Sequence, residues 1–268
     1  MFKMTDEQLK EITKLIKKAG ETILSASEAP LKDSDITQKS GDSNYYTAYD
    51  VEVQHLLVNG LHEIFPGAAF LAEEEDRQLC YADFGLLFII DPIDGTTNFI
   101  HDMRCSAVSV GLLYDGKPCA GFVYLPYTGE FFRAETGGGA YLNDKRIFAS
   151  QRELSDALVC FGTSPYKKHE LAEESFDMAK KIYMRSSDIR RSGSAAADLC
   201  YLACGRTDVF FEKILSPWDY AAGYVIATQA NAVMTDFKGN PVSFKEPSEV
   251  LCCANQKIKR ELMNLLKN

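Results

Sequence analysis

Long apolar runs are missing from this 268-residue sequence. Nothing approaches the roughly 18 to 20 consecutive apolar residues that span a bilayer, so no membrane helix is read from it. The N-terminal stretch "MFKMTDEQLKEITKLIKKAG" mixes acids and bases without the apolar centre of a secretory signal. Positive charge is also scarce: 29 Lys and Arg face 38 Asp and Glu, a net −9. That balance argues against a broad footprint for DNA or RNA. It leaves room for an anionic substrate, because a divalent cation inverts the sign of a site locally. The eight cysteines form no CxxC pair and no zinc-like grouping. Cys200 with Cys204, and Cys252 with Cys253, are read as packed, reduced thiols of a cytoplasmic protein. Repeats, low-complexity tracts and linkers are absent too.

What is present fits one α+β unit covering residues 1–268, in two lobes with a boundary near 148–155. Hydrophobic residues make up 46% of the chain, and its length allows a substantial core. Thr5-x-x-Gln8 is a capping-box pattern, followed at helical spacing by Leu9, Ile12, Leu15, Ile16, Ala19 and Ile23. Leu31 to Asn44 is polar and reads as loop, and a second helix is expected from about Asp50 to Ile64. Short apolar or alternating runs at Ser106–Tyr114, Pro118–Leu125 and Glu130–Ala134 predict strands, with Asp115-Gly116 as a hairpin turn. Hairpins in sequence imply mainly antiparallel pairing rather than a βαβ alternation. Further on, Ser194–Cys204 reads as a helix ending at Gly205, Asp208–Glu212 as a strand, and Ser216-Pro217 as a helix start. Asn255 opens a final basic helix.

Three acidic places stand out. The apolar strand "LLFII" runs into Asp91-Pro92-Ile93-Asp94-Gly95, delivering two carboxylates to one turn with no Lys or Arg between them. "FLAEEED" leads from Phe70-Leu71 to Glu73, Glu74, Glu75 and Asp76, and Asp219 lies in the first turn of a helix after the only tryptophan. Singly these are a turn, a solvated acidic surface and a helix-end acid. Together they suggest one cage of oxygen ligands, which suits a hard cation such as magnesium and metal-assisted phosphoryl hydrolysis. Pro92 fixes the turn so that the Ile93 carbonyl can join the aspartates. Gly95 lets the backbone approach an anion, Thr96 adds a hydroxyl, and Gly193-Ser194 opens a helix that reads either as a second anion seat or as a simple cap.

At these residues the sequence resembles the inositol monophosphatase family. The carrying motifs are "DPIDGTTNFIH" at 91–101 and "PWDYAAG" at 217–223, supported by "AEE" at 72–74. "KSGDSNYYTAYD" at 39–50, "GGGAYLND" at 137–144 and "RRSGSAAADL" at 190–199 follow the family's order. The resemblance implies a layered αβαβα sandwich of the sugar-phosphatase type and a magnesium-dependent, lithium-sensitive phosphatase that forms a homodimer. It implies Glu73, Asp91, Ile93 (through its carbonyl), Asp94 and Asp219 as ligands for two or three Mg2+ ions. Asp50 and Thr96, with Glu73, would activate the attacking water. Gly95 and Thr96 would hold phosphate, while Gly193, Ser194, Ala195, Glu212 and Asp219 would face the substrate hydroxyls. Lys39 would belong to a mobile loop that helps close the site.

Departures are local. Ala72 stands where a glycine is common, Tyr45 and Tyr46 flank the loop, and Ala230-Asn231 replaces paired glycines. Thr97, where nucleotide and histidinol phosphatase relatives usually carry lysine, favours a small phosphorylated polyol, inositol monophosphate first. The alternative is a fructose-1,6-bisphosphatase or other sugar or nucleotide phosphatase, for which Arg190, Arg191 or Lys213 would bind the second phosphate. A non-catalytic interaction protein and a two-metal nuclease are further readings. The second is opposed by the acidic balance and the lack of a basic–aromatic strip.

Overall fold

Helix α1 (Asp6–Ala26) starts as its pattern requires: Gln8 N–H donates to the Thr5 hydroxyl, and Thr5 N–H donates back to the Gln8 side chain. Its apolar stripe, Ile12, Ile16, Ala19 and Ile23, is fully buried. The fold is that of a computed structural model describing residues 2–28, 31–39, 43–74 and 85–266. The expected loop at 31–44 contains structure: β1 (Ile36–Gln38) pairs antiparallel with β2 (Tyr45–Thr47). Strands of three residues carry too little periodicity to be read from sequence. Helix α2 (Ala48–Ile64) begins earlier than expected because Thr47 is its N-cap, and Asp50 closes the capping box from the third position.

A seven-stranded sheet follows in simple order: β3 (Ala69–Ala72), β4 (Leu86–Asp94), β5 (Ala107–Tyr114), β6 (Lys117–Leu125), β7 (Glu130–Glu135), β8 (Gly139–Leu142) and β9 (Lys145–Ile147). Only β3 and β4 run parallel; the other neighbours are antiparallel, as the hairpin signals require. The short helix α3 (Thr96–Ile100) leaves the end of β4.

The second half contributes β10 (Leu158–Phe161), α4 (Lys168–Tyr183), β11 (Asp188–Arg190), α5 (Ala195–Ala203), β12 (Val209–Leu215), α6 (Pro217–Gln229), β13 (Val233–Thr235), β14 (Ser248–Cys253) and α7 (Gln256–Leu265). Its sheet has the order β11-β10-β12-β14-β13, mixing parallel and antiparallel pairs. The layers are α1/α2, the seven-stranded sheet, α5/α6, the five-stranded sheet, and α4/α7. The fold is therefore the α+β, αβαβα sandwich that the resemblance implied. Apolar cores fill the spaces between layers: Ile12, Leu57 and Phe88 in the first, Leu199, Phe210 and Tyr220 in one cluster that wraps both faces of the α5/α6 layer, Ile182, Phe211 and Leu262 in the last. Among the described residues no helix is long and apolar enough to cross a membrane.

Candidate active site

Strand β4 is buried along its length and drives straight at the middle layer. Its pairing with β5 slips between Asp91 and Asp94, where Pro92 has no N–H to give. Helix α6 arrives from the other side, capped by Ser216, with Pro217 at its first position and Asp219 at its third. Ser109 on β5 reaches the backbone of Trp218 at 3.4 Å, fixing the helix start against the sheet. The result is that Asp91, Asp94 and Asp219 bring carboxylate oxygens within 4.8 Å of one another.

Asp91 and Asp94 are buried, and Asp91 Oδ1 has no hydrogen-bond partner at all. Burial, followed by the charges of Glu73, Asp94 and Asp219, pushes Asp91 well above the carboxylate range. Asp219 rises for the same first cause, with Glu73 and Asp94 adding to it. Asp94 is pushed by burial up to about 6, although hydrogen bonds from Ser194 and Ala196 pull the other way. An orphaned buried oxygen inside a group of mutually repelling acids is what a cation would satisfy. The donors are all oxygen, the set preferred by hard divalent ions such as magnesium. The residues fit the metal.

Glu73 borders the same cavity but stays outside the close trio. Its Oε1 lies 2.9 Å from the Lys39 ammonium, which also reaches Glu74 Oε1 at 2.8 Å and the Tyr46 ring at 5.6 Å. Burial opposes the charge on Lys39, yet Glu73 and Glu74 more than offset it and keep the ammonium above its ordinary value. Glu75 and Asp76 lie outside the described residues.

Asp50 divides its oxygens. Oδ2 takes the Thr47 N–H at 2.7 Å and the Thr47 hydroxyl at 2.6 Å; Oδ1 is left for the Thr96 hydroxyl at 3.2 Å. Burial pushes Asp50 up to about 6 against those hydrogen bonds. The Thr96 hydroxyl also lies 3.1 Å from Ile93 O, and its single proton serves one of the two. Gly95 sits at φ +91°, and a Cβ there would stand 3.0 Å from Cys105 O and 3.1 Å from Gly193 O. Only glycine fits that turn.

The expected substrate contacts all border the same cavity, of about 160 Å³. Ser194 borders it, but its hydroxyl donates to Asp94 Oδ2 at 2.5 Å, and Ala196 N–H donates there at 2.7 Å. The start of α5 therefore braces an acid of the cage, and Ser194 also caps its helix through Ala197 N–H. Glu212 is buried, with Oε1 already accepting from Ser164 N–H at 2.7 Å. Of the three basic residues considered for a second phosphate, only Arg191 borders the cavity. Arg190 is paired with Asp188, and Lys213 is held by Glu174 and Glu249.

Several site residues were not foreseen. Asn98 donates to Cys105 O at 2.7 Å and Ser192 O at 2.9 Å, tying the β4 turn to the α5 turn. Its place inside "GTTNF" was the available signal. Asp198 borders the cavity as a buried acid, pushed by burial up to about 7. Gly162, Thr163 and Tyr166 complete the wall from a stretch with no sequence signature.

Comparison with known proteins identifies the family and the fold. The model of the inositol monophosphatase family matches residues 4–268. The Nus factor SuhB of Vibrio cholerae is 34% identical over 232 residues, 87% of this chain and 86% of that protein. The inositol-1-monophosphatase of Bacillus subtilis is 31% identical over 239 residues, 89% of this chain and 88% of that one. The crystal structure of the extragenic suppressor protein suhB from Bartonella henselae superposes with a TM-score of 0.88 at 32% identity, covering 97% and 98% of the two chains.

Proposed function

The chain belongs to the inositol monophosphatase family, and on that premise we propose that it hydrolyses a small phosphate monoester with magnesium, inositol monophosphate first. The observation that carries the reading is the trio of buried Asp91, buried Asp94 and half-buried Asp219, with Asp91 Oδ1 left without a partner. These three, Glu73 and the Ile93 carbonyl would hold two or three Mg2+ ions. Bound magnesium would supply charge neutralisation for the phosphate and Lewis acidity toward the attacking water.

The chain's own residues then have separate tasks. The Thr96 hydroxyl orients the attacking water, and Asp50 Oδ1, 3.2 Å away, takes the proton that Thr96 passes on. Thr47 holds Asp50 Oδ2, so the receiving oxygen keeps its direction. The Gly95 and Thr96 backbone seats the phosphate. Gly193, Ala195, Glu212 and Asp219 face the hydroxyls of the alcohol, and Ser194 serves them by bracing Asp94. Lys39 supplies positive charge at Glu73 until the cage is filled. On the same premise the protein is a lithium-sensitive, cytoplasmic homodimer.

A second reading is a non-catalytic interaction protein, since the Vibrio cholerae relative is named as a factor and not as an enzyme. The complete acid set and the intact Thr96–Asp50 pair weigh against it. The test is phosphate release from inositol 1-phosphate, fructose 1,6-bisphosphate, 3′-phosphoadenosine 5′-phosphate and NADP, with magnesium or with chelator. Magnesium-dependent release led by inositol 1-phosphate is expected. A lead by another ester would keep the cage and overturn the substrate. No release from any of them would favour the interaction protein.

A further inference from the structure

Between β10 and α4 the chain makes a turn that neither the acidic trio nor the Thr96–Asp50 pair explains. Ser164 is fully buried and holds φ at +43°, in the left-handed region that side chains rarely adopt. Glu212 keeps it there: Ser164 N–H donates to Glu212 Oε1 at 2.7 Å, and its hydroxyl lies 3.0 Å from that oxygen and 3.0 Å from Ile214 O. Beneath the turn only glycine fits, because a Cβ at Gly162 would stand 1.8 Å from Glu212 Oε2. A strained residue fixed by several partners marks a place where geometry is being held for a ligand.

The residue this turn aims is Tyr166. It borders the cavity, follows the rigid Pro165, and donates its phenol hydroxyl to Ile214 O at 3.2 Å. The ring is thus tethered at its backbone and at its tip. Burial, with Asp219, Glu212 and Glu73 close by, pushes the phenol up and keeps it a donor. The rest of the cavity is rich in acids; Tyr166 stands with Phe161, Pro165, Phe210 and Leu215 among its apolar lining. A cyclic polyol has a matching pair of surfaces, a rim of hydroxyls and a face of C–H groups. An open-chain polyol has no such face.

We propose that Tyr166 is a specificity-determining residue, its fixed ring packing on the C–H face of a ring-shaped alcohol that carries the phosphate. The site then favours cyclic over open-chain phosphate esters. This rests on the phosphatase reading given above and adds a choice among its substrates.

The test compares kcat/KM for inositol 1-phosphate and glycerol 2-phosphate in the full-length protein with magnesium. In Tyr166→Ala the ratio of the two is expected to fall about tenfold, the scale of one aromatic contact. Tyr166→Leu, which keeps apolar bulk without a flat ring, lowers it about threefold and serves if the alanine variant does not fold. Tyr166→Phe keeps the ratio within about twofold of wild type. A ratio unchanged in both Tyr166→Ala and Tyr166→Leu overturns the proposal, and so does an equal fall in Tyr166→Phe, which would assign the effect to the hydroxyl. If wild type releases phosphate from neither ester, the phosphatase reading fails. The same ratios are then taken from calorimetric Kd values with calcium, where the same outcomes support or overturn the role of Tyr166.

Discussion

Asp50 is the residue where one atom decides a function. Thr47 takes Oδ2 and Thr96 addresses Oδ1, so Asp50→Asn keeps the fold-holding contacts and loses only the proton acceptor. Loss of a general base at this position is expected to lower kcat about hundredfold, with KM within about twofold of wild type. Steady-state kinetics on inositol 1-phosphate checks it, and a change confined to KM would remove Asp50 from the chemistry. Asp219→Asn makes the complementary case. Its acceptor for Ser216 N–H survives, while one charge leaves a close group of acids, two of them buried. The melting temperature of the metal-free variant is expected to stay level or rise. A fall of more than about 4 °C, the equivalent of at least 1 kcal/mol, would make Asp219 a structural residue. These acids were legible because each sits inside a contiguous motif. Ser164, Gly162 and Tyr166 were not, because their meaning comes from Glu212 and Ile214, 48 or more residues away. Asn231 shows a departure that proved neutral in form: it adopts φ +72°, the conformation the usual glycine would supply.

Elements position the site through close approach. Helix α6 carries Asp219 and lies directly on β5 and β6, where a Cβ at Gly121 would stand 2.3 Å from the backbone oxygen of Ala222. Gly121→Ala must lift the helix. Overpacking of this kind costs about 1–3 kcal/mol, so thermal unfolding should move down by several degrees. Activity should fall about tenfold or more as Asp219 shifts from its partners. Lower stability with unchanged activity would show that α6 does not set the cage. The capped and amphipathic elements α1, α5, α6 and α7 were readable from end signals and spacing, as were the hairpin strands. The strands β10, β13 and β14 were not, since short buried strands show no alternation. Helix α4 begins without a side-chain cap and offered no start signal.

At the scale of the molecule, buried acids make stability depend on pH in an unusual direction. Burial pushes Asp198 and Glu212 each up to about 7, and Asp50 up to about 6. An acid whose folded pKa is raised stabilises the fold below its unfolded value, and that contribution is lost as pH rises through the folded pKa. The metal-free protein should therefore melt at a higher temperature at pH 5 than at pH 8. Magnesium, which favours the charged carboxylates, should raise the melting temperature more at pH 8. Stability that climbs steadily from pH 5 to pH 8 without metal would contradict this. The central claim is that three converging acids hold the cation that drives hydrolysis. Its most direct test is the rate of phosphate release from inositol 1-phosphate as magnesium is added back to chelated protein, for wild type and Asp219→Asn together. The account expects a rate that rises from background to saturation in wild type and stays about hundredfold lower or more in the variant. Equal release with and without magnesium, or a variant that matches wild type, would contradict it.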